Sequence, residues 1–400
     1  MSEAYKTEAG MDGALRRKME EQELLESYLL YSIRGIGPAS LRKLIEHAGS
    51  AVAVKGMKEE ALRELIGEKR TLALLKGMEE RSRRTQTARY QALLDRGIRF
   101  LPFWCSDYPK RLKAIPDPPA AIFCRGKLPA EQRAAVAVIG ARECSGYGWE
   151  TARIFAAGLA AAGVTVISGM ARGVDGIAQR AALEAGGNSA AVLGCGVDVC
   201  YPPENRKLYD RLIQDGCLIS EYPPGTGPAA RLFPPRNRII SGLSDLVLVT
   251  EAREKSGTLI TVDMALEQGK EVYAVPGRIT DSCSAGCNRL ILNGAGMAVS
   301  VSQLLTALQE NRSGLVVGGR GTVSVSPGQG AASGQKTLRN RVLAALTCMP
   351  ASLEEIGERL EGGPVSVGAL MEELVNLCME GEAGSCAGMY YAQKKGGENL

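Results

Sequence analysis

Ala135-Val136-Ala137-Val138-Ile139-Gly140-Ala141-Arg142 is an apolar run that stops at a glycine and an arginine. Five apolar residues in a row, without polar alternation, describe a strand buried on both faces. The same pattern recurs along the chain at Val164–Ile167, Ser189–Leu193, Cys217–Ser220, Leu246–Thr250 and Glu271–Val275. Helical stretches lie between these runs: Gly148–Ala162, Gly176–Ala185, Asn205–Gln214 and Thr258–Glu267. Buried strands separated by helices predict an α/β fold with a Rossmann-like, doubly wound parallel sheet at its core. Right-handed crossovers then gather the loops that leave each strand along one edge.

Those loops are Gly140-Ala141-Arg142, Ser168-Gly169-Met170-Ala171-Arg172-Gly173, Gly194-Cys195-Gly196, the segment from Glu221 to Arg238, the segment from Glu251 to Gly257, and Pro276-Gly277-Arg278. Each contains glycine, arginine or both. Glycine admits a ligand against the backbone, and a following helix N-terminus offers unpaired N–H groups and a positive dipole end. An edge of this kind attracts phosphate. Its densest part is Phe233-Pro234-Pro235-Arg236-Asn237-Arg238, with Arg231 just upstream. Guanidinium forks suit phosphate oxygens, and an exposed ring can stack on a base. The other reading of the same residues is a loop whose phenylalanine plugs the core and whose arginines pair with carboxylates. Arg142 likewise has an acidic choice in Glu143 or Glu150. Asp175 is expected to cap the helix beginning at Gly176, and Ser256 or Thr258 the helix near Thr258.

The first loop is not a G-x-G-x-x-G, and no acidic residue follows the second strand where a dinucleotide ribose would need one. Lys255-Ser256-Gly257-Thr258 holds P-loop residue types in the wrong order, which argues against ATP hydrolysis. The chain has a single histidine, His47, so a Ser-His-Asp or Cys-His mechanism or a multi-histidine metal site lacks material. No cofactor or metal is expected. The 400 residues, 45% hydrophobic, support two or three domains with sizeable cores, and the net charge of +4 permits a polyanionic partner without demanding one. Eleven cysteines without a Cys-x-x-Cys pair, behind a charged N-terminus, read as buried thiols of a soluble cytoplasmic protein. Residues 154–171 carry no charge, but their glycines and β-branched second half read as helix, turn and strand rather than a membrane span.

Composition divides the chain further. Residues 1–115 scan as a helical domain, 116–310 as the sheet domain, 311–336 as a glycine-rich flexible linker, and 337–393 as a winged-helix-like domain. Ile33-Arg34-Gly35-Ile36-Gly37-Pro38 has the form of a helix-hairpin-helix turn, supported by Arg42 and Lys43; it presents backbone N–H groups to DNA or serves as a packing hairpin. Near the C-terminus, Ser352 and Glu355 form a capping box. The third helix of that region carries Glu372 and Glu373 and no lysine or arginine, which suits a protein contact better than a DNA groove.

The order Val-Ile-Gly-Ala-Arg, Ser-Gly-Met-Ala-Arg-Gly-Val-Asp, Gly-Cys-Gly-Val-Asp with Tyr-Pro, Ser-Glu-Tyr-Pro, Phe-Pro-Pro-Arg-Asn-Arg-Ile-Ile-Ser-Gly, Lys-Ser-Gly-Thr, Val-Pro-Gly and Gly-Cys-Asn-Arg-Leu-Ile runs unbroken over roughly residues 100–310. It resembles the DNA-processing protein A (DprA/Smf) family. The resemblance implies a dimeric single-stranded-DNA-binding protein without established catalysis, with a helical N-terminal domain of the SAM or helix-hairpin-helix kind, that protects incoming strands in natural transformation and helps load the recombinase RecA. It also implies DNA contacts at Gly140, Arg142, Ser168, Gly169, Arg172, Arg231, Phe233, Arg236, Asn237, Arg238, Lys255, Ser256 and Gly257. Gln179 stands where the family has histidine, and Arg231 is an added cation. The rival is a nucleotide-processing enzyme of the lysine-decarboxylase-like fold, for which Glu267 is the available, if distant, carboxylate.

Overall fold

The computed structural model describes residues 13–311, 338–346, 351–360, 365–380, 382–386 and 389–392. The described residues begin with five α-helices, α1 (Gly13–Tyr31), α2 (Pro38–Ala48), α3 (Glu59–Ile66), α4 (Glu68–Gly77) and α5 (Glu80–Asp95). Composition puts the end of this helical region at residue 115, but the sheet already begins at β1 (Ile98–Pro102), which pairs antiparallel with β2 (Ala121–Gly126) across the short α6 (Lys110–Lys113). The proline-rich connector before β2 is therefore a link within the sheet unit. Arg42 of α2 packs on this unit: its guanidinium lies 5.0 Å from the Phe103 ring centre and donates to Pro118 O.

The predicted apolar runs are the strands. They are β3 (Ala135–Ile139), β4 (Thr165–Ser168), β5 (Ser189–Val192), β6 (Cys217–Ser220), β7 (Leu246–Val249) and β8 (Glu271–Ala274), with a two-residue β9 (Gly296–Met297) after them. Helices α7 (Gly146–Ala161), α8 (Val174–Glu184), α9 (Arg206–Asp215), α10 (Phe233–Gly242), α11 (Thr258–Glu267), α12 (Ala285–Leu292) and α13 (Val301–Asn311) connect and follow them. Every residue of β3 to β7 is buried, as continuous apolar strands require. The sheet order is β1-β2-β6-β5-β4-β3-β7-β8-β9, parallel from β6 through β9, with the β1–β2 hairpin antiparallel at one edge. From β3 the chain winds outward to β6, then crosses back to β7 on the other side of β3. That reversal opens a crevice beyond the carboxyl ends of β3 and β7, the place where sheets of this kind hold ligands.

Two apolar layers cover the sheet. One contains Ile139, Ile167, Ile219, Ile239 and Val249; the other contains Val138, Phe155, Leu159, Val166 and Leu248. Among the described residues no helix is long and apolar enough to cross a membrane. The near-span at residues 154–171 is the end of α7, a turn and β4.

The C-terminal segments form α14 (Leu338–Ala345), α15 (Leu353–Arg359), α16 (Val367–Met379) and a hairpin of β10 (Ala383–Cys386) and β11 (Met389–Ala392), around a core of their own that includes Val342, Ile356, Leu374 and Tyr390. The capping box is present, with Glu355 N donating to Ser352 Oγ and Ser352 N to Glu355 Oε2. The expected linker lies outside the described residues except for its first, Asn311, which ends α13.

Candidate functional site

Beyond β3 and β7 lies an open cleft of about 470 Å³. Eight of the residues expected from sequence meet there: Gly140, Arg142, Phe233, Arg236, Asn237, Lys255, Ser256 and Gly257. Helices α10 and α11 each bring their first turn to the cleft, so their positive dipole ends add to the side-chain charge. The loops are locked together. Thr258 Oγ1 donates to Gly140 O at 3.0 Å, and Ala141 N donates to Glu251 O at 2.8 Å. Ser256 Oγ accepts the Thr258 N–H at 3.2 Å, a cap-like contact from the residue before the helix boundary.

Arg142, Arg253 and Lys255 are exposed on the rim and, among the described residues, pair with no carboxylate. Arg142 lies with its guanidinium 5.7 Å from the centre of the Phe233 ring, as a cation over an aromatic face. The ring also approaches Tyr201, centres 5.6 Å apart, and a Cβ on Gly194 would come within 2.6 Å of it. Glycine at 194 is what lets Phe233 pack this closely against the β5 loop. Tyr201, 40% exposed, extends the aromatic surface. It enters the sequence argument only as part of a Tyr-Pro pair; nothing local signalled that it would neighbour Phe233.

The remaining expected residues lie elsewhere. Ser168 is buried and donates to Val138 O at 2.7 Å, so its hydroxyl ties β4 to β3 and does not face a ligand. Gly169 is buried between Arg236 and Asp175, with its N–H donated to Asp175 Oδ2 at 3.0 Å. Asp175 is thus not the cap of α8, which starts one residue before it with Gly173 as N-cap. Burial pushes the Asp175 carboxyl above its ordinary value, against the pull of Arg236 and the Gly169 and Ala171 N–H groups. Arg236 reaches the cleft wall, but its guanidinium is buried and donates to Gly169 O at 2.9 Å and to Val192 O. It braces the β4 and β5 loops against α10. Arg238 makes a bidentate pair with Glu221 at 2.8 and 2.9 Å and a further contact with Asp117 at 3.1 Å. Burial works against its charge, yet Glu221 and Asp117 hold its pKa above the ordinary value. For Arg238 the carboxylate reading is the correct one. Arg172 is exposed and paired with Glu204; Arg231 is exposed on a one-turn helix outside the cleft. Gln179 is fully buried. Its Oε1 accepts Met170 N–H at 3.0 Å and its Nε2 donates to Ala190 O at 3.0 Å, fastening a loop in which Met170 holds φ +53°. Glu267, the carboxylate of the enzyme reading, is exposed on the last residue of α11, about 14 Å of helix from the cleft end.

The fold and its edge cleft define a mixed α/β protein with a mostly parallel sheet and a cationic, aromatic-floored crevice at the strand reversal. The chain belongs to the DNA recombination-mediator protein A family, whose model matches residues 99–309. It is similar to the DNA processing protein DprA of Streptococcus pneumoniae, 42% identical over 202 residues, which is 50% of this chain and 71% of that one. Protein Smf of Synechocystis is 35% identical over 302 residues, 68% of this chain and 75% of that one. Protein Smf of Escherichia coli is 46% identical over 203 residues, 50% of this chain and 54% of that one, so this chain spans about half the length of that relative. The X-ray structure of DNA processing protein A from Streptococcus pneumoniae superposes with a TM-score of 0.60 at 32% identity, covering 70% of this chain and 96% of that one.

Proposed function

We propose that the cleft binds single-stranded DNA, and that the chain acts in DNA processing during natural transformation and recombination. The observation that carries this reading is the unpaired rim of Arg142, Arg253 and Lys255 around the Phe233 and Tyr201 rings. Cations beside two neighbouring aromatic rings suit a strand whose bases are unstacked and free to lie on a ring, whereas a duplex hides its base faces. Residues Gly140, Arg142, Phe233, Asn237, Lys255, Ser256 and Gly257 are the proposed contacts, with Arg236 as the brace beneath them. The core is read as Rossmann-like, the N-terminal helices as a SAM or helix-hairpin-helix-like unit, and the C-terminal segments as a winged-helix-like unit. Protection of incoming strands, loading of RecA, a homodimeric state, a cytoplasmic location and a non-catalytic role extend the same proposal from the family. The distance of Glu267 from the cleft weighs against the nucleotide-processing alternative.

Arg142, Arg253 and Lys255 are three exposed cations lining the cleft. Three neutralised phosphates on a single strand give a slope of about −2 for log affinity against log salt. Titration of a labelled oligonucleotide at several salt concentrations measures that slope, and a flat dependence rejects the phosphate-lined cleft.

A further inference from the structure

A second hollow, of about 490 Å³, opens on the same edge of the sheet between the first turn of α7 and the loop from β8 to α12. Its working residues are Tyr147, Pro276, Gly277, Arg278, Asp281 and Ser284. It shares a wall with the first cleft. The loop after β3 lines the first cleft at Glu143 and the second at Ser145. Only β7 separates β3 from β8, so the step from one hollow to the other is on the order of 10 Å, two strand spacings.

The chemistry inside this hollow differs from that of the first. Ser284 stands at the N-cap of α12, where a serine hydroxyl ordinarily accepts a helix N–H. Here its backbone is helical (φ −93°, ψ −12°), and its hydroxyl does not cap. The residue is only 3% exposed, and among the described residues that hydroxyl has no hydrogen-bond partner. The hydroxyl itself is not sealed off but borders the hollow, where a ligand can meet it. Gly277 has no Cβ where one would collide with this hydroxyl, so the loop is shaped around it. Asp281 accepts Cys283 N–H through Oδ1 at 2.9 Å, and its Oδ2 has no partner among the described residues. A carboxylate repels phosphate and accepts N–H donors. Tyr147 donates its hydroxyl to Pro276 O at 2.8 Å, which holds the ring and the proline as two flat apolar walls. Arg278 is exposed at the mouth and pairs with no carboxylate among the described residues.

We propose that this hollow is a nucleobase pocket for the same strand, in which Asp281 and Ser284 read the N–H edge of a base, guanine foremost, while Arg278 meets its phosphate. Guanine presents two adjacent N–H donors on its Watson–Crick edge, and a single-stranded base leaves that edge free. Thymine presents one N–H between two carbonyl oxygens, which the carboxylate repels. The strand therefore lays one nucleotide on Phe233 in a sequence-tolerant way and a neighbour, one or two positions along, in a selective pocket. This inference rests on the single-stranded-DNA reading of the first cleft.

The test is fluorescence anisotropy on the full chain with two labelled strands of equal length, a thymidine homopolymer and one in which every second base is guanine. A bidentate base contact is worth about 1–3 kcal/mol, so the unsubstituted protein is expected to favour the guanine strand by about fivefold or more. Asp281→Asn keeps the Cys283 contact and Ser284→Ala keeps the packing; each is expected to bring that preference below about twofold, with homopolymer affinity retained in Ser284→Ala and retained or raised in Asp281→Asn, which loses the repelling charge. Equal affinity of the unsubstituted protein for both strands overturns the pocket and leaves the first cleft standing. A preference that survives both substitutions also overturns it, because the base is then read elsewhere. Failure to bind the homopolymer at all rejects the first cleft and this pocket together.

Discussion

Arg142, Arg236 and Arg238 have the same side chain and three different fates. Arg142 is free on the rim, Arg236 is buried among carbonyl oxygens, and Arg238 is clamped by Glu221. Sequence marks all three as cations near a glycine-rich edge, and it cannot separate them, because their partners are remote along the chain. Gly169 lies 67 residues from Arg236, Val192 lies 44 from it, and Glu221 lies 17 from Arg238. The distinction has opposite consequences on substitution. Arg142→Ala is expected to weaken single-strand binding several-fold and lower the salt slope by about 0.7, with thermal stability unchanged. Arg238→Ala leaves Glu221 half-buried without its partner and is expected to cost about 1–3 kcal/mol of stability while the salt slope stays in place. Thermal melts paired with anisotropy at two salt concentrations separate the two. If Arg238→Ala lowers the slope and spares stability, its assignment as a structural residue is wrong.

At the scale of elements, the parallel strands β3 to β8 were legible because they are nearly continuously apolar, and each falls within a residue of the predicted run, whereas the two-residue β9 was not predicted. What the sequence hid was α10. Two consecutive prolines after Phe233 read as the end of a loop, yet both sit in the first turn of the helix, where a missing N–H costs nothing and a fixed φ is already helical. β1 and β2 were missed for a related reason: short antiparallel edge strands pair through contacts that no local period announces. The loop between β4 and α8 was recognised as glycine-rich, and its geometry now says which glycine is indispensable. Gly173 holds φ +69°, and a Cβ there would strike the carbonyls of Ala141 and Arg142 in the cleft's own loop. Gly173→Ala is therefore expected to destabilise by about 1–3 kcal/mol through backbone strain alone, and more through displacement of the Ala141–Arg142 loop. Single-strand affinity should fall with it, because Arg142 moves. Gly225, with φ +83° and open space around it, is the control: alanine there carries strain without a clash. Equal behaviour of the two variants in melts and in binding would show that the close approach at Gly173 is unimportant.

Across the whole molecule, the N-terminal helices are fastened to the sheet at points that charge patterning did not reveal. Trp104 Nε1 donates to Ser27 Oγ at 2.8 Å, Tyr31 Oη to Glu221 O at 2.9 Å, and Arg96 pairs with Asp198 at 2.9 Å. The helices are tied to one another at Glu26, whose carboxylate is 2% exposed and is held by Arg83 at 2.7 and 3.0 Å and by Lys55. Burial raises its pKa, but the hydrogen bonds from Arg83 and Lys55 outweigh burial and bring it below the ordinary 4.5. A carboxyl whose folded pKa is depressed binds protons more readily when unfolded. Its stabilisation is thus complete above about pH 4.5 and fades as pH falls through the depressed value. Protonation would release α1 from α5 and from the turn at Lys55 while leaving the parallel strands, which carry no buried carboxylate of their own, in place. Acid titration followed by hydrogen exchange should therefore show α1 and α5 losing protection before β3 to β7. Glu26→Gln should cost about 1–3 kcal/mol at neutral pH and remove much of the acid sensitivity between pH 4.5 and the depressed pKa. Simultaneous loss of protection in helices and strands, with the same pH midpoint in Glu26→Gln, would place the acid-labile contact somewhere other than Glu26.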